Sequence, residues 1–443
     1  MAKIKANAPA AKPLTLEDGR GLTVRRGNRY PEWVALPFTL LILVAFPLAM
    51  NSSKYSGLTL FKYQFLQTLT LAFGVATLLC LTLFLLDKKL ADARKKDGPQ
   101  KLSLPQILLL GYLAVAALSA ILSPYDGVWV GLGRYEGLYT ILLYCALFFL
   151  ASFFSEYNKF YVYGLCAVTA ALCVLGVLQY AGIDALHLYP EGRNYANSNF
   201  LTTIGNIDMV SGMLALAIPV AWGGYILFEK RWKYFTLLPC YALMLYLLKA
   251  IGVDSGRVGV AATAVVLLPL MAVNPARIRR ILELGAVSCL VLALQRAYPL
   301  KSAAVLEEPV AFALDKTGKL MLIGAAVMVA LWLITLLLNR AKLPVRAYRI
   351  ALSAVVALCL IAGLVWLWNY DGEERLLNEA SQFMHGELAD NAGSGRGYVW
   401  KKSVEIIGDK PLFGSGPDTY VARFAQYNEE YNQILGGSVY FDY

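Results

Sequence analysis

Charge is scarce in this sequence. Asp, Glu, Lys and Arg make up 16% of its 443 residues, against 58% hydrophobic residues. A water-soluble domain carries about a quarter charged residues, so that class is excluded and a polytopic membrane protein is expected. Histidine is nearly absent, with only His187 and His385 present. The seven cysteines (Cys80, Cys145, Cys166, Cys173, Cys240, Cys289 and Cys359) all lie in apolar runs without ligand spacing to either histidine. Neither a zinc site nor a disulfide framework is expected, and they read as small packing residues. No cofactor is implied. The net charge of +10 lies mostly in connecting loops, so topology rather than nucleic acid accounts for it.

A spanning helix needs about 20 mostly apolar residues. Eleven such runs are predicted: 32–50, 64–86, 104–122, 137–154, 160–180, 208–228, 235–251, 255–273, 281–297, 319–338 and 349–369. The fold expected is therefore all-α, a polytopic transmembrane helical bundle of about 11 spans. Three regions follow: a basic tail over 1–30, the bundle over 31–369, and a polar segment of short helices over 370–443. Loops on the tail's side hold 24 Lys and Arg, and those on the opposite side hold 10, the terminal segment apart. Positive charge stays inside, so the N-terminus is expected in the cytoplasm and residues 370–443 outside a cell membrane crossed many times.

The loops predicted outside differ in kind. "LSPYDGVWVGLGRYEG" (122–137) and "HLYPEGRNYANSNFLTTIGNID" (187–208) are rich in Gly, Asn and aromatic residues, whereas the inner loops are mostly short and basic. Long loops of that composition point to function rather than disorder. A transporter would place ionisable residues deep in its spans and repeat its halves. Lys249, Arg257, Glu283 and Arg296 all fall near span ends, and no internal repeat is visible. A transporter or flippase for a lipid-linked or anionic substrate is the alternative; an enzyme acting at the outer surface is the better expectation.

Two arginines carry that expectation. In "VDSGRVGVAA", Arg257 stands at the start of a span, where free N–H groups and the helix dipole add to its charge. In "SGRGYVWKKSVEIIGDKPLFGSGPDTY" (394–420), helical periodicity runs from Arg396 to Gly408. It sets Trp400, Val404 and Ile407 on the face of Arg396. Pro411 blocks continuation, and Asp418 or Thr419 is expected to open another short helix.

These segments resemble the O-antigen ligase family of lipopolysaccharide ligases, protein O-oligosaccharyltransferases and surface-polysaccharide polymerases. "LTTIGNIDMVSGMLAL" (201–216) is similar to its Thr-x-Gly-Asn segment, with Ile-Asp where Pro-Asn often follows. "DSGRVGVAA" (254–262) is similar to its Ser-Arg segment, with a glycine between. "GRGYVWKKSVEIIGDKPLFGSGPDTY" (395–420) is similar to its Arg-x-x-x-Trp segment followed by Pro-Leu-x-Gly-x-Gly, and "GRYEGLYT" (133–140) also fits. The resemblance implies a GT-C-like glycosyltransferase. It would move a glycan from an undecaprenyl-pyrophosphate carrier to an acceptor hydroxyl, as a ligase or polymerase in surface-polysaccharide or glycoprotein assembly. The acceptor is undefined, and the remaining partner is the bilayer. Arg257 and Arg396 match the family's two arginines, with Trp400 beside them as substrate-binding residues; no metal is implied. The family's His-Asn motif, whose histidine activates the acceptor, is not visible as a catalytic residue. The sequence ends at "VYFDY", with Asp442 where the motif would begin. A C-terminally truncated, inactive chain is therefore expected.

Overall fold

The computed structural model describes residues 29–86, 102–131, 134–155, 158–189, 200–298, 314–338, 344–372 and 375–435. All regular structure among them is helical. The first helix, α1 (Arg29–Leu40), runs on through a π turn at Leu41–Ala45 and a last turn at Phe46–Leu48. Then come α2 (Leu58–Leu86), α3 (Leu104–Ile121), α4 (Leu138–Phe154), α5 (Lys159–Tyr180) and α6 (Ile207–Leu227). After the short turn Trp232–Phe235 follow α7 (Leu237–Ile251), α8 (Asp254–Met271), α9 (Pro275–Ala297), α10 (Lys316–Leu338) and α11 (Val345–Trp368). The terminal segment holds α12 (Arg375–Met384), α13 (Ala392–Asp409), α14 (Tyr420–Phe424) and α15 (Asn428–Leu435).

All eleven predicted runs are helical, and eight helices are long and apolar enough to cross a membrane. Two more, Val34–Leu48 and Leu138–Phe154, are apolar but shorter. The last, α9, begins six residues earlier than the sequence suggests, because its first turns are polar and partnered. Asn274 caps it by accepting from the Arg277 N–H (2.9 Å), and Arg280 reaches the Ile226 carbonyl (2.6 Å) and Glu229 (3.0 and 2.5 Å). Deeper in α9, Glu283 accepts from Tyr225 Oη and from Trp332 Nε1 (2.9 Å), so this carboxylate ties α9 to α6 and α10.

The core lies where α5, α6 and α7 meet. Cys173, Leu214, Ile218, Tyr241, Met244 and Leu247 are buried there. The cysteines are all free, as packing residues should be. By contrast α10 and α11 expose rows of Leu, Ile and Val, among them Leu320, Ile323, Leu358 and Ile361. Lipid tails solvate such rows without penalty, since helix association in a bilayer does not depend on hiding them.

The glycine- and aromatic-rich loops gather at one end of the bundle. Tyr55 Oη donates to the Thr202 carbonyl (2.9 Å), and its ring stacks on Phe200 and lies against Tyr189. Burial pushes the Tyr55 phenol up to about 12. The terminal segment joins the same end through "GSGPD". Ser123 Oγ donates to the Ser415 carbonyl, and Asp418 accepts from the Arg134 N–H (3.2 Å). Two glycines permit this approach. At Gly416 (φ +112°) a Cβ would meet Ser123 and Val128 at 2.7–3.0 Å; at Gly131 (φ +110°) it would strike Asp418 and the next turn of its own loop. Asp418 therefore does not open a helix. It takes a left-handed conformation (φ +58°) and spends its carboxylate on the neighbouring loop, while α14 starts after Thr419.

The terminal segment has a small core of its own. Tyr398, Ile406 and Phe424 are buried, with Tyr420, Tyr427 and Tyr431 packed around them. The Arg396, Trp400, Val404 and Ile407 face of α13 points away from that core and is exposed throughout.

Candidate functional site

The loop before α6 sets the site's first side chain. Gln179, at the end of α5, accepts from the Thr202 N–H (2.7 Å) and donates to Tyr55 Oη (3.2 Å). Thr203 donates to the Pro47 carbonyl (2.8 Å), and Lys62 donates to the Phe46 and Pro47 carbonyls (2.6 and 3.1 Å). These bonds hold "TTIGN" rigidly, and Asn206 then caps α6 through the Asp208 and Met209 N–H groups. Asp208 thus stands in the first turn of α6, where the helix dipole favours a negative charge.

Arg257 is fixed from both sides of a tight helix connection. α7 ends at Gly252 and α8 begins at Asp254. Arg257 donates to Asp254 Oδ1 (2.8 Å) and to the Lys249 carbonyl in the last turn of α7 (2.9 Å), while its Nε is buried without a partner. The preceding residue, Gly256, lies against Ser211 of α6; a Cβ there would come within 2.9 Å of the Ser211 carbonyl oxygen. The first turns of α6 and α8 are therefore in contact, one presenting Asp208 and the other Arg257.

Arg396 comes from α13, which begins four residues before the sequence periodicity indicates, so the arginine lies inside its first turns. Its side chain is 57% exposed, with Nη2 at 3.5 Å from Asp208 Oδ2. Trp400, one turn on, is half exposed. Gly393 lies beneath both, with room for a Cβ at 3.4 Å from Arg396 Cβ and 3.8 Å from the indole.

A third arginine, absent from the sequence reading, enters between them. Arg375, at the start of α12, lies 4.0 Å from Asp254 Oδ2 and 3.4 Å from Glu379 Oε1. Glu379 in turn accepts from the Gly393 N–H (3.0 Å), which ties α12 to the head of α13. Arg257, Arg375 and Arg396 thus alternate with Asp254, Glu379 and Asp208 where α6, α8, α12 and α13 meet. Arg257 and Arg396 reach this junction from different helices and are held by different carboxylates. Arg375 could not be found from spacing, because its partner Asp254 lies 121 positions away.

The histidines are placed elsewhere in function. His385 Nδ1 bonds the Ser381 carbonyl (2.8 Å), and its ring packs on Trp368 at 4.2 Å, joining the ends of α11 and α12. His187 occupies a left-handed turn (φ +49°) in the loop after α5. Asp442, Gly133 of "GRYEGLYT", loop residues 190–199 and the basic tail over 1–28 lie outside the described residues. No group of three or more potential metal ligands occurs among the described residues.

Residues 310–443 match the O-antigen ligase family. The resemblance read from "GRGYVWKKSVEIIGDKPLFGSGPDTY" is borne out over that segment, which contains Arg375, Arg396 and Trp400. Arg257 and Asp208 stand before it. No curated protein and no solved structure matches the chain. Its eight long apolar helices suit a multi-pass membrane protein, and the family match is confined to residues 310–443.

Proposed function

We propose that the protein transfers a glycan from an undecaprenyl-pyrophosphate carrier to an acceptor hydroxyl, with Arg257 and Arg396 holding the pyrophosphate and Trp400 bordering the glycan. The observation that carries this is the approach of two guanidinium groups from separate helices to one end of a membrane bundle, Arg396 from within the segment that matches the O-antigen ligase family. In the reaction the acceptor oxygen gives up its proton to water and forms a bond to the anomeric carbon, and the bond from that carbon to the phosphate oxygen breaks. The electron pair leaves with the pyrophosphate, whose charge rises. Planar guanidinium forks bind phosphate oxygens two at a time and need no reorganisation when that charge develops. Arg257 lies at the end of a span, at the depth where a lipid-borne pyrophosphate reaches water, and Arg396 faces it from the terminal segment through Asp208 of α6. The basic tail and loops belong in the cytoplasm and the terminal segment outside, by the asymmetry of Lys and Arg.

Carrier binding and transfer test this together. In the purified protein, Arg257→Ala and Arg396→Ala each weaken binding of a polyprenyl-pyrophosphate analogue by about 1.5–3 kcal/mol, the usual worth of a lost charged hydrogen-bond set. Lysine at either position fails to restore it, because a point charge does not replace the fork. Binding left unchanged by both alanine variants would reduce the pair to ordinary surface cations.

A further inference from the structure

We infer that Arg375 is a third anion-binding residue of this site, and that Asp254 is the shared counter-ion which Arg257 and Arg375 release when the anion arrives. The inference rests on the proposal that Arg257 and Arg396 bind the carrier's pyrophosphate. Its own support is the geometry of α12. Arg375 is 64% exposed, and its contacts are long: 3.4 Å to Glu379 and 4.0 Å to Asp254. An exposed i,i+4 pair of this kind adds only about 0.3–0.5 kcal/mol to stability, so folding alone gives little reason for it. A guanidinium carries five N–H donors, and no other acceptor among the described residues takes those of Arg375.

Asp254 has the complementary position. One of its oxygens accepts from Arg257 at 2.8 Å while the other faces Arg375, so a single carboxylate lies between two guanidinium groups. That is the place an oxygen of a bridging phosphate would take. Asp208 stands in the same relation to Arg396 at 3.5 Å. The site is thus balanced, three cations against three carboxylates, and an incoming pyrophosphate exchanges for aspartate rather than entering a bare cluster of positive charge. Glu379, bonded to the Gly393 N–H, keeps Arg375 in register with the head of α13 during the exchange. Arg375 and Arg396 are carried by the same terminal segment and Arg257 by the bundle, so an anion held by all three also fastens the segment to the bundle.

Titration of the purified protein with a short-chain polyprenyl pyrophosphate, by calorimetry in detergent, tests the inference. Arg375→Gln weakens binding about tenfold or more, the cost of one lost charge-assisted contact, and leaves the melting temperature unchanged. Asp254→Asn tightens binding several-fold, because a neutral amide competes less well for the arginines. Lys410→Gln, at the far end of α13, is the charge control and leaves binding unaltered. If Arg375→Gln binds like the parent protein, or Asp254→Asn binds more weakly, the pair is a brace and the inference fails. Arg257→Ala and Arg396→Ala run alongside. Loss of binding in those two with none in Arg375→Gln overturns the third-residue role alone; no loss in any of the three overturns the pyrophosphate site itself.

Discussion

At the scale of single residues, the site depends on glycine as much as on arginine. Gly256 lets α8 lie on α6, so that Arg257 reaches the same junction as Asp208. A methyl group there meets both the Ser211 hydroxyl and the Ser211 carbonyl oxygen. Gly256→Ala is therefore expected to lower stability by about 1–3 kcal/mol, as overpacking does, measured by thermal unfolding in detergent. Ser211→Ala in the same chain removes only the hydroxyl and does not rescue it, since the backbone oxygen remains. Full recovery in that double variant would show that the hydroxyl, not the backbone, sets the helix spacing. The sequence reading singled out Arg257, Arg396 and Trp400 as candidates because each belongs to a local pattern. It missed Arg375 and Asp208 as site residues because their roles arise only from contacts between distant segments.

At the scale of elements, helix placement was legible wherever apolar runs are long, and less so where charge opens a helix. α2 starts at Leu58, six residues before the run suggests, because Lys62 turns its ammonium back onto carbonyls at the end of α1. α9 starts early because Asn274 and Arg280 satisfy its polar opening. The Arg280 clamp gives a pH prediction. Its hydrogen bonds to Glu229 hold that carboxyl below the usual carboxylate range, against the opposing effect of burial. A depressed carboxylate stabilises the fold above its ordinary pKa, and the contribution is lost as pH falls through the lowered value. Glu229→Gln should accordingly lower stability near neutral pH, where the ionised carboxylate contributes, and flatten the acid limb, so that variant and parent converge as pH falls. The terminal segment offers a second test. Phe424 is fully buried in a core separate from that of the bundle. Phe424→Ala is expected to cost about 3–5 kcal/mol there, seen as faster amide exchange over 375–435 with α5 to α7 still protected. Exchange rising equally in both regions would mean that the two cores unfold as one.

For the whole molecule, the architecture followed from composition: long apolar runs in a chain with little charge leave only a helical bundle in a bilayer. The orientation proposed from loop charge can be tested by labelling. New cysteines at Thr15 and Ser438 report the two tails. In intact cells an impermeant thiol reagent should modify Ser438→Cys and not Thr15→Cys; the reverse pattern inverts the topology. None of the seven native cysteines lies in either tail, and the parent chain, in which Cys359 is exposed, gives the background labelling to subtract.

The junction between "GSGPD" and the loop after α3 also constrains which changes a lineage can accept. Gly416 presses on Ser123 and Val128, and Gly131 presses on Asp418. No residue is smaller than glycine, so damage at either position has no remedy at that position except reversion. A genetic screen for suppressors of Gly416→Ala should therefore return changes on the opposing side, at Ser123 or Val128, whereas no single change at Asp418 should rescue Gly131→Ala, because the Glu136 and Gly137 backbone nitrogens stay in the way. Such paired histories would let the docking of the terminal segment be read from the pattern of tolerated change.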